Sequence, residues 1–255
     1  MQKPKTYLGI IPARYQSTRL PGKPLAQIGD KTMIEHVYRQ CAPFFEHLYV
    51  ATDDERIFNE VSGFHGRVVM TATHHQSGTD RCLEAAEIIA KKQDLNFDVI
   101  INIQGDEPFI EGESLELLKR LFDDAKCEFG TLAYRITNEK SLSNPGNVFV
   151  TLTKSQKALY FSRSLIPYFR DAKSADIKQI AVYKHIGLYG YTPDALKKFA
   201  AMPQSSLEKA EKLEQNRFLE NDGNIYVAVT PHQAIAVDTP QDLENARNIC
   251  QTSGE

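Results

Sequence analysis

The sequence predicts an α/β protein in which a mainly parallel sheet is covered by helices, and three observations support that class. Strand-like and helix-like segments alternate through the first half of the chain, the pattern that brings parallel strands together through helical crossovers. Residues 97–103 form a near-continuous apolar run, as expected of a central strand buried on both faces. The 255 residues, 42% hydrophobic and 25% charged, suffice for one α/β domain with an elaboration, or for two associated lobes.

In chain order, residues 7–12 read as a buried first strand and 31–41 as a helix with Met33, Ile34, Val37 and Tyr38 on one face. Residues 48–51 are a second strand, after which Thr52 stands where a helix beginning with Asp53, Asp54 and Glu55 needs its cap. Residues 68–71 make a short third strand. The 97–103 run ends at Gln104-Gly105-Asp106-Glu107-Pro108. Farther on, 129–136, 148–152 and 184–191 read as strands, and 158–162 as a strand or short helix. Ser205 and Glu208 form a capping box opening a helix to about Asn221, and Thr239, Pro240 and Asp242 open the last helix. Just before it, residues 235–238 put a carboxylate at a strand end. Ligands of open α/β sheets bind outside the carboxyl ends of the strands. The loops after the first strand, after Met70 and after Ile103 should therefore converge.

Charge and cysteines exclude several classes. Thirty Lys and Arg against 33 Asp and Glu give a net charge of -3, too balanced for a protein that holds nucleic acid by bulk counterion release. Any anion must be held locally. Cys41, Cys82, Cys127 and Cys250 form no Cys-x-x-Cys pair, so reduced thiols in a cytoplasmic protein are expected rather than a zinc ribbon or disulfide framework. The early apolar stretch at 7–13 is interrupted by Pro12 and far shorter than the roughly 20 residues that cross a bilayer, so neither a membrane span nor a signal peptide is expected.

The loop after the first strand concentrates Arg14, Arg19 and Lys23 with the hydroxyls of Ser17 and Thr18, punctuated by Pro and Gly. A triphosphate needs that combination: guanidinium forks and an ammonium neutralise its charge, while hydroxyls and backbone amides supply directed donors. The spacing is neither that of a Walker A loop nor Gly-x-Gly-x-x-Gly. Asp106 and Asp238 compete with ordinary turn and helix-entry roles, since Asp after a strand and Asp-Thr-Pro are both good caps. His74 and His75 are adjacent in what reads as an extended segment, which aims their side chains to opposite faces and argues against a shared metal.

The loop from Pro12 and Ala13 through Lys23 to Leu25 resembles the amino-terminal signature of the CMP-Kdo synthetases, the 3-deoxy-manno-octulosonate cytidylyltransferases. Six further segments match in family order: His75-Gln76-Ser77-Gly78-Thr79-Asp80-Arg81, the stretch from Asn102 to Pro108, that from Tyr160 to Pro167, that from His185 to Tyr191, Leu213-Glu214-Gln215, and the stretch from Val237 to Leu243. The resemblance implies a three-layer, mainly parallel Rossmann-like sheet of the nucleotidyltransferase type with a smaller mixed sugar-binding and dimerisation subdomain. Within one domain over 1–255, it implies a nucleotide-binding part at roughly 1–130, a sugar-binding and dimerisation part at roughly 131–230, and a return to the main sheet over 231–255. The implied reaction is attack by the anomeric hydroxyl of a sugar acid on the α-phosphorus of CTP, with pyrophosphate leaving.

Residue by residue, the resemblance assigns Arg14, Lys23, Asp106 and Asp238 to catalysis, and Asp106 and Asp238 to Mg²⁺. CTP is implied to contact Pro12, Ala13, Ser17, Thr18, Arg19, Ser77, Gly78, Thr79 and Arg81 as well, with Ser77-Gly78-Thr79 read as a tight turn facing the cytosine edge. Gln104, Arg163, His185, Tyr189, Glu214 and Gln215 match the sugar-binding set, in which Arg163 suits the sugar-acid carboxylate. Glu214, on the helix opened by Ser205, is also spaced to pair with Arg217. A cytoplasmic homodimer serving lipopolysaccharide synthesis, with no nucleic-acid partner, is implied too.

Two positions depart from the family pattern: Phe149 stands where a lysine is usual, and Asn216 where Leu-Glu-Gln-Leu-Arg has leucine. Both fall in the sugar half, so an 8-amino analogue of Kdo or another 2-keto-3-deoxy acid is an alternative acceptor. Two other readings compete. A glycosyltransferase would want an Asp-x-Asp pair, which Gly105-Asp106-Glu107 does not supply. A catalytically silent sugar-nucleotide binder would bind CTP without turnover.

Overall fold

The computed structural model describes residues 4–17, 19–75, 77–170, 177 and 179–252. Thr18, expected at the triphosphate loop, and Gln76 of the second motif lie outside the described residues. The chain forms two compact units, Met1–Leu115 with Ala234–Glu255, and Glu116–Gln233.

The first unit is built on four parallel strands. β1 (Tyr7–Ala13) is followed by a small hairpin, β2 (Gln27–Ile28) and β3 (Lys31–Thr32), then α1 (Met33–Cys41), β4 (His47–Thr52), α2 (Glu55–Gly63), β5 (Val68–Met70), α3 (Gly78–Gln93) and β6 (Val99–Asn102). β1 lies between β4 and β6, pairing Ile10 with Tyr49 and with Asn102, and β5 borders β4. Leu8, Ile10, Ile11, Val50, Val99 and Ile101 are almost wholly buried, as their apolar runs predict for strands covered on both faces. α4 (Gly112–Leu121) follows β6 and spans the boundary between the units in sequence, and α8 (Pro240–Thr252) closes the first unit, with Val237, Leu243 and Ala246 joining Ile28 and Met33 in a small core.

Three expectations need correcting here. The helix expected from residue 31 starts at Met33, because Lys31 and Thr32 pair with the strand before them and the Thr32 hydroxyl caps the helix by accepting from the Glu35 amide. The helix expected from Asp53 starts at Glu55: Asp54 is its cap, and Thr52 accepts from the Asp54 amide one step earlier. Residues 235–238 form no strand. They carry no regular secondary structure, and the Val237 amide donates to the Asp106 carbonyl at 2.9 Å.

The second unit carries β7 (Phe129–Arg135), β8 (Phe149–Leu152), β9 (Ala158–Ser162), β10 (Tyr183–Tyr191), α5 (Pro193–Ala201), α6 (Ser206–Glu211), α7 (Gln215–Glu220) and β11 (Tyr226–Thr230). β7 runs parallel to β11 and antiparallel to β10, while β8 joins β10 to β9 in antiparallel register. Residues 158–162 are therefore a strand. Phe149 is buried with Ile136, Ile177 and Val182, so this departure from the family pattern is a core residue. The capping box of Ser205 and Glu208 is present, but the helix expected to reach about Asn221 is two. Lys212 adopts φ 55° and breaks it, leaving six-residue helices on either side. A left-handed lysine has no glycine to announce it.

All four cysteines are free thiols, three of them buried. Among the described residues, no helix is long and apolar enough to cross a membrane.

Candidate active site

In the first unit the loop after β1 turns back through Gly22, whose φ of 68° suits a residue without a side chain and whose amide donates to the Tyr15 carbonyl. That turn starts a short 3-10 segment, Lys23–Leu25, and aims Lys23 inward. Opposite it, the chain leaves β6 through Gly105, where a side-chain carbon would come within 3.2 Å of the Pro12 carbonyl oxygen. A larger residue would crowd that oxygen, so the glycine eases the approach of the Asp106 segment to the end of β1. The Val237–Asp106 backbone bond then sets Asp238 beside Asp106.

The result is a bridge. Lys23 Nζ donates to Asp106 Oδ2 at 2.5 Å and to Asp238 Oδ1 at 3.0 Å, and Arg19 Nη2 reaches the same Asp238 oxygen at 3.1 Å. Burial works against the charged ammonium, yet the two carboxylates outweigh it and hold Lys23 above its ordinary lysine value. The segments carrying these four residues lie as many as 219 positions apart in sequence. Arg14 is exposed, with no protein partner among the described residues. Ser17 accepts from the Leu20 amide at 3.4 Å. Tyr15 braces the loop, its ring 3.3 Å from the guanidinium carbon of Arg56, which Asp54 holds by both oxygens.

The second motif is arranged differently from the expected tight turn. Ser77 caps the 16-residue α3, accepting from the Asp80 amide at 3.2 Å, so Gly78 and Thr79 lie in its first turn. Pro12 borders Gly78, 3.4 Å from where a side-chain carbon would sit, and Ala13 ends β1. Arg81 is buried, donating to Thr71 Oγ1 at 2.6 Å and to Asp53 Oδ2 at 2.9 Å. Those two partners escaped the sequence reading because nothing local pairs residues 10 and 28 positions apart. His74 and His75 are not splayed apart: the segment turns, their ring centres lie 4.7 Å from each other, and His75 bonds Glu84. Among the described residues no cluster of three His, Cys, Asp or Glu side chains could hold a metal.

In the second unit Arg163 follows β9, its Nε donating to the Glu211 carbonyl at 2.8 Å. His185 is buried between Phe161 and Tyr189, with ring centres 4.9 and 5.4 Å away. Burial pushes its imidazole down to about 3, so it is neutral at physiological pH. Thr131 Oγ1 lies 3.1 Å from His185 Nε2 and 2.9 Å from the Leu188 carbonyl, at the bulge where β10 shifts register. The single hydroxyl hydrogen serves a carbonyl, so Nε2–H is the donor to Oγ1. Tyr189 approaches Gln215 Oε1 at 3.5 Å, while Gln215 Nε2 is buried without a partner among the described residues. Glu214 precedes α7 and accepts there through its carbonyl from the Arg217 amide, and the Arg217 guanidinium forks onto Glu208 at 2.6 and 2.7 Å. Asn216 spans the backbone of Phe161, accepting from its amide at 3.3 Å and donating to its carbonyl at 3.0 Å. Gln104 sits in the first unit, half-buried, two residues past the end of β6.

Residues 8–225 match the Cytidylyltransferase family. A 3-deoxy-manno-octulosonate cytidylyltransferase from Bacteroides thetaiotaomicron is 50% identical over 247 residues, covering 95% of this chain and 97% of its own length. An 8-amino-3,8-dideoxy-manno-octulosonate cytidylyltransferase from a Shewanella species is 46% identical over 238 residues, covering 92% of this chain and 94% of its own. Among solved structures, CMP:2-keto-3-deoxy-manno-octonic acid synthetase complexed with CTP superposes with a TM-score of 0.86 at 38% identity, covering 97% of this chain and 99% of that one.

Proposed function

The chain belongs to the cytidylyltransferase family, and from that premise we propose that it transfers the cytidylyl group of CTP to the anomeric hydroxyl of 3-deoxy-manno-octulosonate. The hydroxyl oxygen bonds to the α-phosphorus, the bond to the β-phosphate oxygen breaks, and pyrophosphate leaves. The observation that carries this reading is the bridge in which Lys23 joins Asp106 and Asp238. Phosphoryl-type transfer needs little covalent help from a protein and much charge compensation, so a cation fixed between two carboxylates beside a basic loop suits it. Arg14, Arg19 and Lys23 balance the triphosphate's charge; Ser17 and the loop amides supply directed donors.

Asp106 and Asp238 fit Mg²⁺. Their oxygens already converge on one cation, the Lys23 ammonium, and Mg²⁺ commonly takes one or two carboxylates while leaving its other positions to water and phosphate. When bound, the metal neutralises charge on the triphosphate. In the second unit Arg163 binds the sugar-acid carboxylate, Gln215 and Glu214 bond its hydroxyls, and neutral His185 shapes the wall with Tyr189. A cytoplasmic homodimer feeding lipopolysaccharide assembly completes the proposal, on the strength of the family resemblance. The 46% identity to a relative named 8-amino-3,8-dideoxy-manno-octulosonate cytidylyltransferase supports the 8-amino acid as a second acceptor. Phosphorus NMR of the protein with CTP, Mg²⁺ and Kdo tests the reading: a new phosphodiester signal appearing with pyrophosphate is expected, and unchanged CTP contradicts it.

A further inference from the structure

We infer that Glu211 is a positioning residue, setting the guanidinium of Arg163 for the sugar-acid carboxylate. This rests on the functional reading above. The Glu211 carboxylate collects three donors from the end of β9: the Tyr160 hydroxyl at 3.0 Å, the Ser162 hydroxyl at 2.7 Å and the Arg163 amide at 2.9 Å. The same residue's backbone carbonyl accepts from Arg163 Nε at 2.8 Å. One residue therefore grips Arg163 at both its backbone and its side chain. The terminal nitrogens of the fork carry no protein partner among the described residues, although the side chain is exposed.

Local structure explains why Glu211 does this. It ends α6, and the left-handed Lys212 stops the helix there, turning the chain so that Glu214 caps the next helix and Gln215 begins it. Asn216 makes a second tie, to both backbone groups of Phe161. The corner between α6 and α7 thus holds three consecutive residues of the β9 end, Phe161 to Arg163, and carries two other sugar-binding positions itself. Burial opposes ionisation of Glu211, but the bonds donated by Arg163, Ser162 and Tyr160 outweigh it and hold its carboxyl below the ordinary glutamate value. An ionised acceptor makes each of these bonds stronger than a neutral one.

Steady-state kinetics on Glu211→Gln, Arg163→Ala and the double variant tests this. Turnover by the unaltered protein is measured first, and its absence overturns the functional reading itself. Given turnover, Glu211→Gln is expected to raise KM for the sugar acid about tenfold and to leave KM for CTP within about twofold. In the Arg163→Ala background the Glu211 substitution should add less than about twofold, since its effect passes through an arginine no longer there. An unchanged sugar-acid KM, an equal rise in the CTP KM, or effects that multiply in the double variant overturns the inference. Should Glu211→Gln fail to fold, Tyr160→Phe removes one hydroxyl from the same carboxylate. It should raise the sugar-acid KM about threefold, and no rise overturns the inference equally.

Discussion

The Nζ of Lys23 lies 2.5 Å from Oδ2 of Asp106, across 83 positions of sequence, and both groups are mostly shielded from water. Lys23→Met removes the charge that balances Asp106 and Asp238 while keeping most of the side chain's bulk. The turnover rate for pyrophosphate release should fall by about 10² to 10³. A fall of less than threefold would mean that the ammonium is only a surface partner.

Arg81 is a structural arginine as well as an expected nucleotide neighbour. Its side chain is 5% exposed and its partner Asp53 19%. Replacing it by methionine leaves that carboxylate and the Thr71 hydroxyl short of a donor, at a cost of about 3 kcal/mol, the low end for a broken buried pair because Asp53 keeps some contact with water. Urea unfolding without nucleotide checks this; a loss under about 1 kcal/mol contradicts it.

His185 makes stability depend on pH. The unfolded chain takes up a proton near pH 6.5 that the folded chain refuses until about pH 3. Between those values the unfolded state binds more protons, so stability rises with pH across the window and is fully present above it. Between pH 7 and pH 5 this residue alone removes about 2 kcal/mol. Unfolding curves at the two pH values should show that loss shrinking by a similar amount in His185→Gln. An identical loss in both proteins would show the imidazole to be freely protonated.

Asn216 departs from the family's leucine, yet among the described residues its side chain bonds only the Phe161 backbone, and it is wholly buried. Asn216→Leu should cost about 2 kcal/mol through two unpaired backbone groups and leave the preference between Kdo and its 8-amino analogue unchanged. A changed preference measured by competition would make Asn216 a specificity residue after all.

Much of this was legible in the sequence for reasons that are local. Apolar runs marked β1, β4 and β6, and the capping box at Ser205 and Glu208 was visible as a spacing. Asp106 could be placed at the mouth of the sheet because it directly follows a buried run. The helix from Gly78 was hidden because glycine and threonine read as a turn. The break at Lys212 was hidden because no glycine marks it. The grip of Glu211 on Arg163 and that of Asp53 on Arg81 join residues brought together only by the fold, and periodicity carries no trace of such pairs.

The most direct test is pyrophosphate release from CTP and Mg²⁺ with Kdo, with 8-amino-Kdo and with no sugar acid, run beside Asp106→Asn. Release that requires Kdo and is abolished in the variant is the expected result. CTP binding without release for either acid would contradict the account and leave a protein that holds the nucleotide but does not transfer it.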